Sequence, residues 1–173
     1  MWDLRHRGLG PLFFDPVEMM DKEHIIKVIG EVLEGTDFFL VDVHVSRTNL
    51  IQVYLDSPSG ISLDDCAGFS RRIEESLDRE SEDFELQVSS PGLGQPLRVL
   101  PQYHKSVGEK IDILLEDDSR LKGTLLAVDG SADSAVLTLQ LTGTKKKPAP
   151  AEPVKVLLSQ IKMAKIEIDF NKV

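Results

Sequence analysis

Two prolines and two glycines fall within the run Pro91-Gly92-Leu93-Gly94-Gln95-Pro96, directly after a segment, Phe84-Glu85-Leu86-Gln87-Val88, in which apolar and polar side chains alternate. The alternation is that of a half-buried strand. The Ser89-Ser90-Pro91-Gly92 sequence stops it, and Pro96-Leu97-Arg98 leads away. Proline fixes φ and glycine allows positive φ, so such a loop has a defined shape rather than free movement. The segments on its two sides differ in character, and the run therefore reads as the corner of a two-domain protein. The boundaries expected are an extension over 1–19, a first domain over 20–90, a rigid linker over 91–106 and a second domain over 107–170.

Before this corner the pattern is mixed helix and strand. Ile25, Ile29, Val32 and Leu33 recur at helical spacing, and Gly35 ends the helix. Phe39, Val41, Val43 and Val45 alternate with Leu40, Asp42, His44 and Ser46. After a turn at Arg47-Thr48-Asn49 a second alternation runs through Ile51, Val53 and Leu55, which predicts a hairpin with one buried face. Ser62 and Asp65 have capping-box spacing, and Cys66, Phe69, Ile73 and Leu77 then share a helix face. With the strand at Phe84 the order is α-β-β-α-β.

After Gly108 the helical period is absent. Short alternating runs at 111–115, 121–125, 136–141, 154–158 and 166–168 are separated by turns such as Asp129-Gly130-Ser131, which predicts a small all-β barrel. Gly123 suits a bend of its wall, and Ser159-Gln160-Ile161-Lys162 a single helical turn before the last strand. The fold class is thus α+β, an α-β-β-α-β half followed by an all-β barrel. Residues 1–19 show no period and end near Met19-Met20, so they are expected to be disordered or to precede the true start.

Charge divides along the same line. Residues 20–88 hold 16 acidic and 6 basic side chains, whereas residues 89–173 hold 10 and 12. An acidic half joined to a mildly basic one suits a partner that offers both a positive protein and a negative polymer, although surplus acid also serves solubility. Lys145, Lys146 and Lys147 would touch RNA phosphates or form a solvated loop. Arg71 and Arg72 are placed on the side of their helix away from Phe69 and Ile73, where they bind a partner or pair with acids such as Glu75.

Few residues suggest catalysis. Cys66 is the one cysteine, which excludes an internal disulfide and fits a reducing compartment, and its place on an apolar face makes it structural. His6, His24, His44 and His104 lack ligand spacing, so no metal and no cofactor is expected. Ser89 and Ser90 lack the frame of a nucleophile elbow and are expected to bond the turn backbone. No apolar stretch approaches the roughly 18 residues of a membrane span, and a cytoplasmic location is expected.

The two-helix, three-strand half resembles RNA-binding KH domains, but residues 20–88 contain no Gly-x-x-Gly clamp. Taken with the Ser70-Arg71 pair, Leu77-Asp78 and Gly108, the Ile61-Ser62-Leu63-Asp64-Asp65-Cys66 helix start and the Val88-Ser89-Ser90-Pro91-Gly92-Leu93 strand exit resemble the bacterial RimP family of ribosome maturation factors, over about Met20 to Phe170. The resemblance implies a non-catalytic assembly factor with a C-terminal Sm-like barrel of the SH3 type, and a monomer is expected. Its partners would be the small ribosomal subunit, meaning ribosomal RNA and at least one ribosomal protein. The partner-binding residues expected are Ser89, Ser90, Pro91, Gly92, Leu93 and Arg98, with Arg71 and Arg72. Where the family commonly has aspartate and arginine before the second proline, this chain has Gly94 and Gln95, and Arg98 is the nearest substitute. An acidic adaptor for a basic peptide and a serine hydrolase using Ser89 or Ser90 are the competing readings.

Overall fold

The structure is a computed structural model that describes residues 21–77, 83–131, 134–143 and 148–168. The extension 1–19 and Lys145 to Lys147 lie outside the described residues. The architecture is mixed α+β, with three helices and two sheets.

Helix α1 (Lys22–Leu33) starts at Asp21, whose side chain accepts from Glu23 N, and stops before Gly35 at φ +74°. Its apolar face, Ile25, Val28, Ile29, Val32 and Leu33, is buried. Strands β1 (Phe39–Val45) and β2 (Leu50–Asp56) form the antiparallel hairpin, turned at Asn49 with φ 54°. Helix α2 (Leu63–Ser76) has the anticipated capping box: Ser62 Oγ accepts from Asp65 N at 3.1 Å, and Asp65 Oδ2 accepts from Ser62 N at 2.9 Å. Strand β3 (Glu85–Ser89) returns parallel to β2, giving the sheet order β1-β2-β3.

Both helices cover one face of this sheet. Val43, Ile51, Val53 and Leu55 join Ile25, Ile29, Phe69 and Ile73 in one core, with Leu86 and Val88 beside them. Strand side chains alternate between faces, so Asp42, His44, Gln52, Tyr54, Glu85 and Gln87 project from the other. That face is mostly polar.

The second unit has five antiparallel strands, β4 (Lys110–Leu115), β5 (Arg120–Asp129), β6 (Val136–Leu141), β7 (Val154–Leu157) and β8 (Ile161–Ile166), in the order β7-β6-β5-β4-β8. The two outer strands are consecutive in the chain and are joined by a 3-10 turn at Leu158–Gln160. Ile111, Ile113, Leu125, Leu137, Leu139 and Ala164 form its separate core. The helical turn begins one residue before the expected Ser159, and the last strand begins at Ile161 instead of Ile166. Alternation in Ile161-Lys162-Met163-Ala164 is muted by the small Ala164, which is nevertheless fully buried. A Cβ on Gly123 would collide with the Gln140 carbonyl oxygen across the β5–β6 pair. Close backbone approach therefore demands glycine there.

A third helix, α3 (Leu100–Lys105), lies within the stretch expected to be linker. Six residues are too few to show a helical period, and Pro101 in its first turn masked it further. Gln102, buried inside it, accepts at Oε1 from Arg98 N at 2.7 Å and Val99 N at 3.2 Å and so closes the helix start. Tyr103 is buried in the second core.

Candidate functional site

The corner turn is held from both sides. Gly92 and Gly94 adopt φ +81° and +73°, conformations that a side chain would strain, and lift Leu93 between them to 88% exposure. Past the turn, Pro96 bridges to Lys165, and Leu97 N donates to Ala164 O at 2.8 Å, so the chain runs along β8. Leu97 packs on the second core, and Gly108 N and Leu125 N complete a short ladder between the end of this segment and β5.

Two ion pairs connect this segment to the first sheet. Arg98 Nη1 lies 2.7 Å from Asp42 Oδ2, and Lys105 Nζ lies 2.7 Å from Asp56 Oδ1. Arg98 precedes α3 and Lys105 ends it, so the short helix carries one cation at each end. Asp42 follows an irregularity in the β1–β2 register, between Leu40 and Asp42, while Asp56 closes β2. Asp42 Oδ1 accepts from Val43 N and Asp56 Oδ1 from Ser57 N, which fixes both carboxylates. Asp42 Oδ2 also lies 3.1 Å from His44 Nε2. Neither close contact to that buried oxygen has hydrogen-bond alignment, so among the described residues it has no hydrogen bond. The pairing with Arg98 is therefore ionic contact without the directionality of a bidentate fork.

Clefts flank the turn. One, of about 200 Å³, lies among Asp42, His44, Tyr54, Gln95, Pro96 and Arg98. His44 and Tyr54 meet there edge to face, with ring centroids 6.1 Å apart. The other, of about 280 Å³, has Leu93, Gly94, Lys105 and Glu109 in its walls.

The residues expected to bind a partner separate on inspection. Pro91, Gly92, Leu93 and Arg98 come together at the turn. Ser89 and Ser90 are exposed, and neither hydroxyl makes a hydrogen bond among the described residues, contrary to the expectation that they brace the turn. Proline and glycine torsions set its shape instead. Arg72 is turned toward Phe69 rather than away: its guanidinium sits 5.5 Å from the ring centroid, and Nη2 donates to Val32 O at 2.6 Å. A cation on the last turn of α1 complements the negative end of that helix, so Arg72 ties α2 to α1. Arg71 is exposed.

Groups suited to catalysis are engaged otherwise. Burial, with the Asp65 charge adding to it, pushes the Cys66 thiol above its ordinary value, away from a reactive thiolate. The Ser62 hydroxyl and backbone N–H hold the Asp65 carboxyl below its usual range, as a cap should. Among the described residues no cluster of three or more histidine, cysteine, aspartate or glutamate side chains could hold a metal, and no helix is long and apolar enough to cross a membrane.

Asp42, Asp56 and Lys105 were not singled out by the sequence. Asp42 reads there as an ordinary polar position of an alternating strand, and the register irregularity that aims it at Arg98 leaves no compositional trace.

Known proteins resolve the family. A protein called ribosome maturation factor RimP from Porphyromonas gingivalis is 33% identical over 148 residues, covering 84% of this chain and 97% of that protein. The chain belongs to the RimP family. A RimP from Christiangramia forsetii is 32% identical over 160 residues, with 87% and 100% covered, and one from Chlorobium limicola is 33% identical over 154 residues, with 79% and 88% covered. The family model for the RimP N-terminal domain matches residues 28–94, from inside α1 through the first unit to the second glycine of the turn. The turn thus belongs to the RimP pattern, whereas Arg98 and Lys105 lie past the end of that match.

Proposed function

We propose that this protein is a ribosome assembly factor that binds the free small subunit while its RNA and last proteins are being arranged, and acts without catalysis. Near full-length similarity to proteins named ribosome maturation factor supports the assembly role. The observation that carries the binding reading is Leu93, held almost fully exposed by two glycines and two prolines. An apolar side chain presented on a constrained turn loses little conformational freedom when a partner covers it. A binder of this kind promotes maturation only through unequal affinity for immature and mature particles.

In this reading the α-β-β-α-β unit is KH-like in shape without the nucleotide clamp, and the five-stranded unit is an Sm-like barrel of the SH3 type. The two are domains, 20–90 and 107–170, joined by 91–106, in a cytoplasmic monomer. Ser89 to Leu93, Arg98 and Arg71 form the contact surface toward ribosomal RNA and at least one ribosomal protein. Lys145 to Lys147 add phosphate contacts. The excess of acid in 20–88 favours a second reading, in which a basic protein alone is the partner.

Co-sedimentation with free small subunits and with whole ribosomes tests this. Association with the free subunit is expected to exceed that with the whole ribosome. Covering a leucine is worth about 1.5–3 kcal/mol, so Leu93→Asp should weaken it by tenfold or more, with the melting temperature unchanged. Equal association with both particles, or none with either, would sink the proposal; association that survives removal of RNA would favour the basic-protein reading.

A further inference from the structure

Two ion pairs join the two units. Their apolar cores are separate, and among the described elements no helix or strand of one lies packed along one of the other. Residues 96–109 are anchored to the second unit through Pro96, Leu97, Tyr103 and Gly108, so they move with it. Between the units run the covalent turn, 90–95, and the pairs Arg98–Asp42 and Lys105–Asp56, with a cleft on each side.

We propose that these two ion pairs are an electrostatic latch that sets the angle between the units, and that a polyanion of the phosphate-backbone kind opens it by taking the two cations. The partners are unequal in a way that suits this. The Asp42 and Asp56 side chains are only 18% and 12% exposed and are fixed by the neighbouring backbone N–H groups, while Arg98 and Lys105 are 54% and 32% exposed. The carboxylates are the keepers and the cations the movable bolts. The cation side of each pair is open to solvent, so salt screens it in part and a competitor with many phosphates reaches the cations, whereas the carboxylates stay fixed in the first sheet. The clefts supply the space that a change of angle needs. This deepens the ribosomal reading, because RNA is the polyanion such a partner presents, but the latch itself is testable without any ribosome.

The test is a distance distribution between spin labels at Glu31→Cys and Glu116→Cys, in the full chain with Cys66→Ala. Raising salt from about 0.1 to about 1 M shortens the screening length from about 10 to about 3 Å and should broaden a narrow distribution. Inorganic polyphosphate at constant ionic strength should do the same. Arg98→Gln/Lys105→Gln and Asp42→Asn/Asp56→Asn should both be broad already at low salt. They should part in polyphosphate affinity: the first double variant binds several-fold more weakly than the parent, the second several-fold more tightly, since its cations are freed. A distribution indifferent to salt and to both variants, or broad in the parent under every condition, overturns the latch. Salt opening without any response to polyphosphate overturns the role of the polyanion. Failure of small-subunit association alongside an intact latch overturns only the ribosomal reading.

Discussion

The first unit places two long helices over one face of three strands and leaves the other face mostly polar, while the second builds its core on a five-stranded sheet with the six-residue α3 beside it. The first is strongly acidic and the second slightly basic. The difference shows what the connecting segment is for. A three-stranded sheet covered by α1 and α2 is already closed on its apolar side. The second core takes in Tyr103 from the connecting segment, and Leu97 packs against it. The segment between the units is thus structurally part of the second, and its charged side chains are what face the first.

Tyr103→Ala would break this comparison if it is mistaken. Tyr103 is 3% exposed, and burial drives its phenol up to about 12. Removing a buried aromatic ring costs about 3–5 kcal/mol. Hydrogen exchange should show that loss in β4, β5 and β6, with amides of α1 and β2 unaffected. An equal loss of protection in the first unit would mean that the two cores fold as one.

A smaller effect sharpens the same contrast from the other side. Ser62→Ala removes the α2 cap, worth about 1 kcal/mol. It should lower protection in α2 and β3 and leave β4 to β8 unchanged, as read by the same exchange experiment. Leu63 and Leu93 are both 88% exposed, yet Leu63 merely opens a capped helix whereas Leu93 is flanked by clefts and pinned by positive-φ glycines. Leu63→Asp, an acid in the first turn of a helix, should therefore leave small-subunit association unchanged, whereas Leu93→Asp weakens it.

Much of this architecture could be read from the residues because it is written locally. The α1 stripe, the Ser62–Asp65 box, the alternation of β1, β2 and β3 and the Asp129-Gly130-Ser131 turn each lie within a few residues of their own signal. The proline-glycine corner was legible for the same reason. What was missed depends on contacts distant in sequence. Helix α3 exists because Gln102 and Tyr103 find partners in its own start and in the second core, and Arg72 points at Val32, 40 residues away. The pairing of Lys105 with Asp56 spans 49 residues. Neither periodicity nor composition encodes such a reach, and the ion pairs at the junction are of this kind.

Charge pairs within one sheet differ from those at the junction. Asp112 on β4 accepts from Arg120 Nε at 2.6 Å and Nη2 at 2.5 Å, and Lys122 Nζ lies 3.1 Å from Asp112 and 3.0 Å from Glu167. Strands β4 and β5 are already joined by their backbone ladder, with Asp112 opposite Lys122. These pairs consequently tune stability and set no angle. The Arg120 hydrogen bonds, with Lys122 adding to them, hold the Asp112 carboxyl below its ordinary value of 3.8. A carboxylate whose pKa is lower in the folded than in the unfolded chain binds fewer protons when folded. Its contribution is complete above the unfolded value and disappears as pH falls through the lower folded value. Asp112→Asn should therefore lower the denaturation midpoint slightly at neutral pH, and the gap from the parent should close on acidification below about pH 4. At neutral pH the label-to-label distance should match that of the parent. A shift in that distance would show that the ion pairs of the second sheet also help to orient the two units.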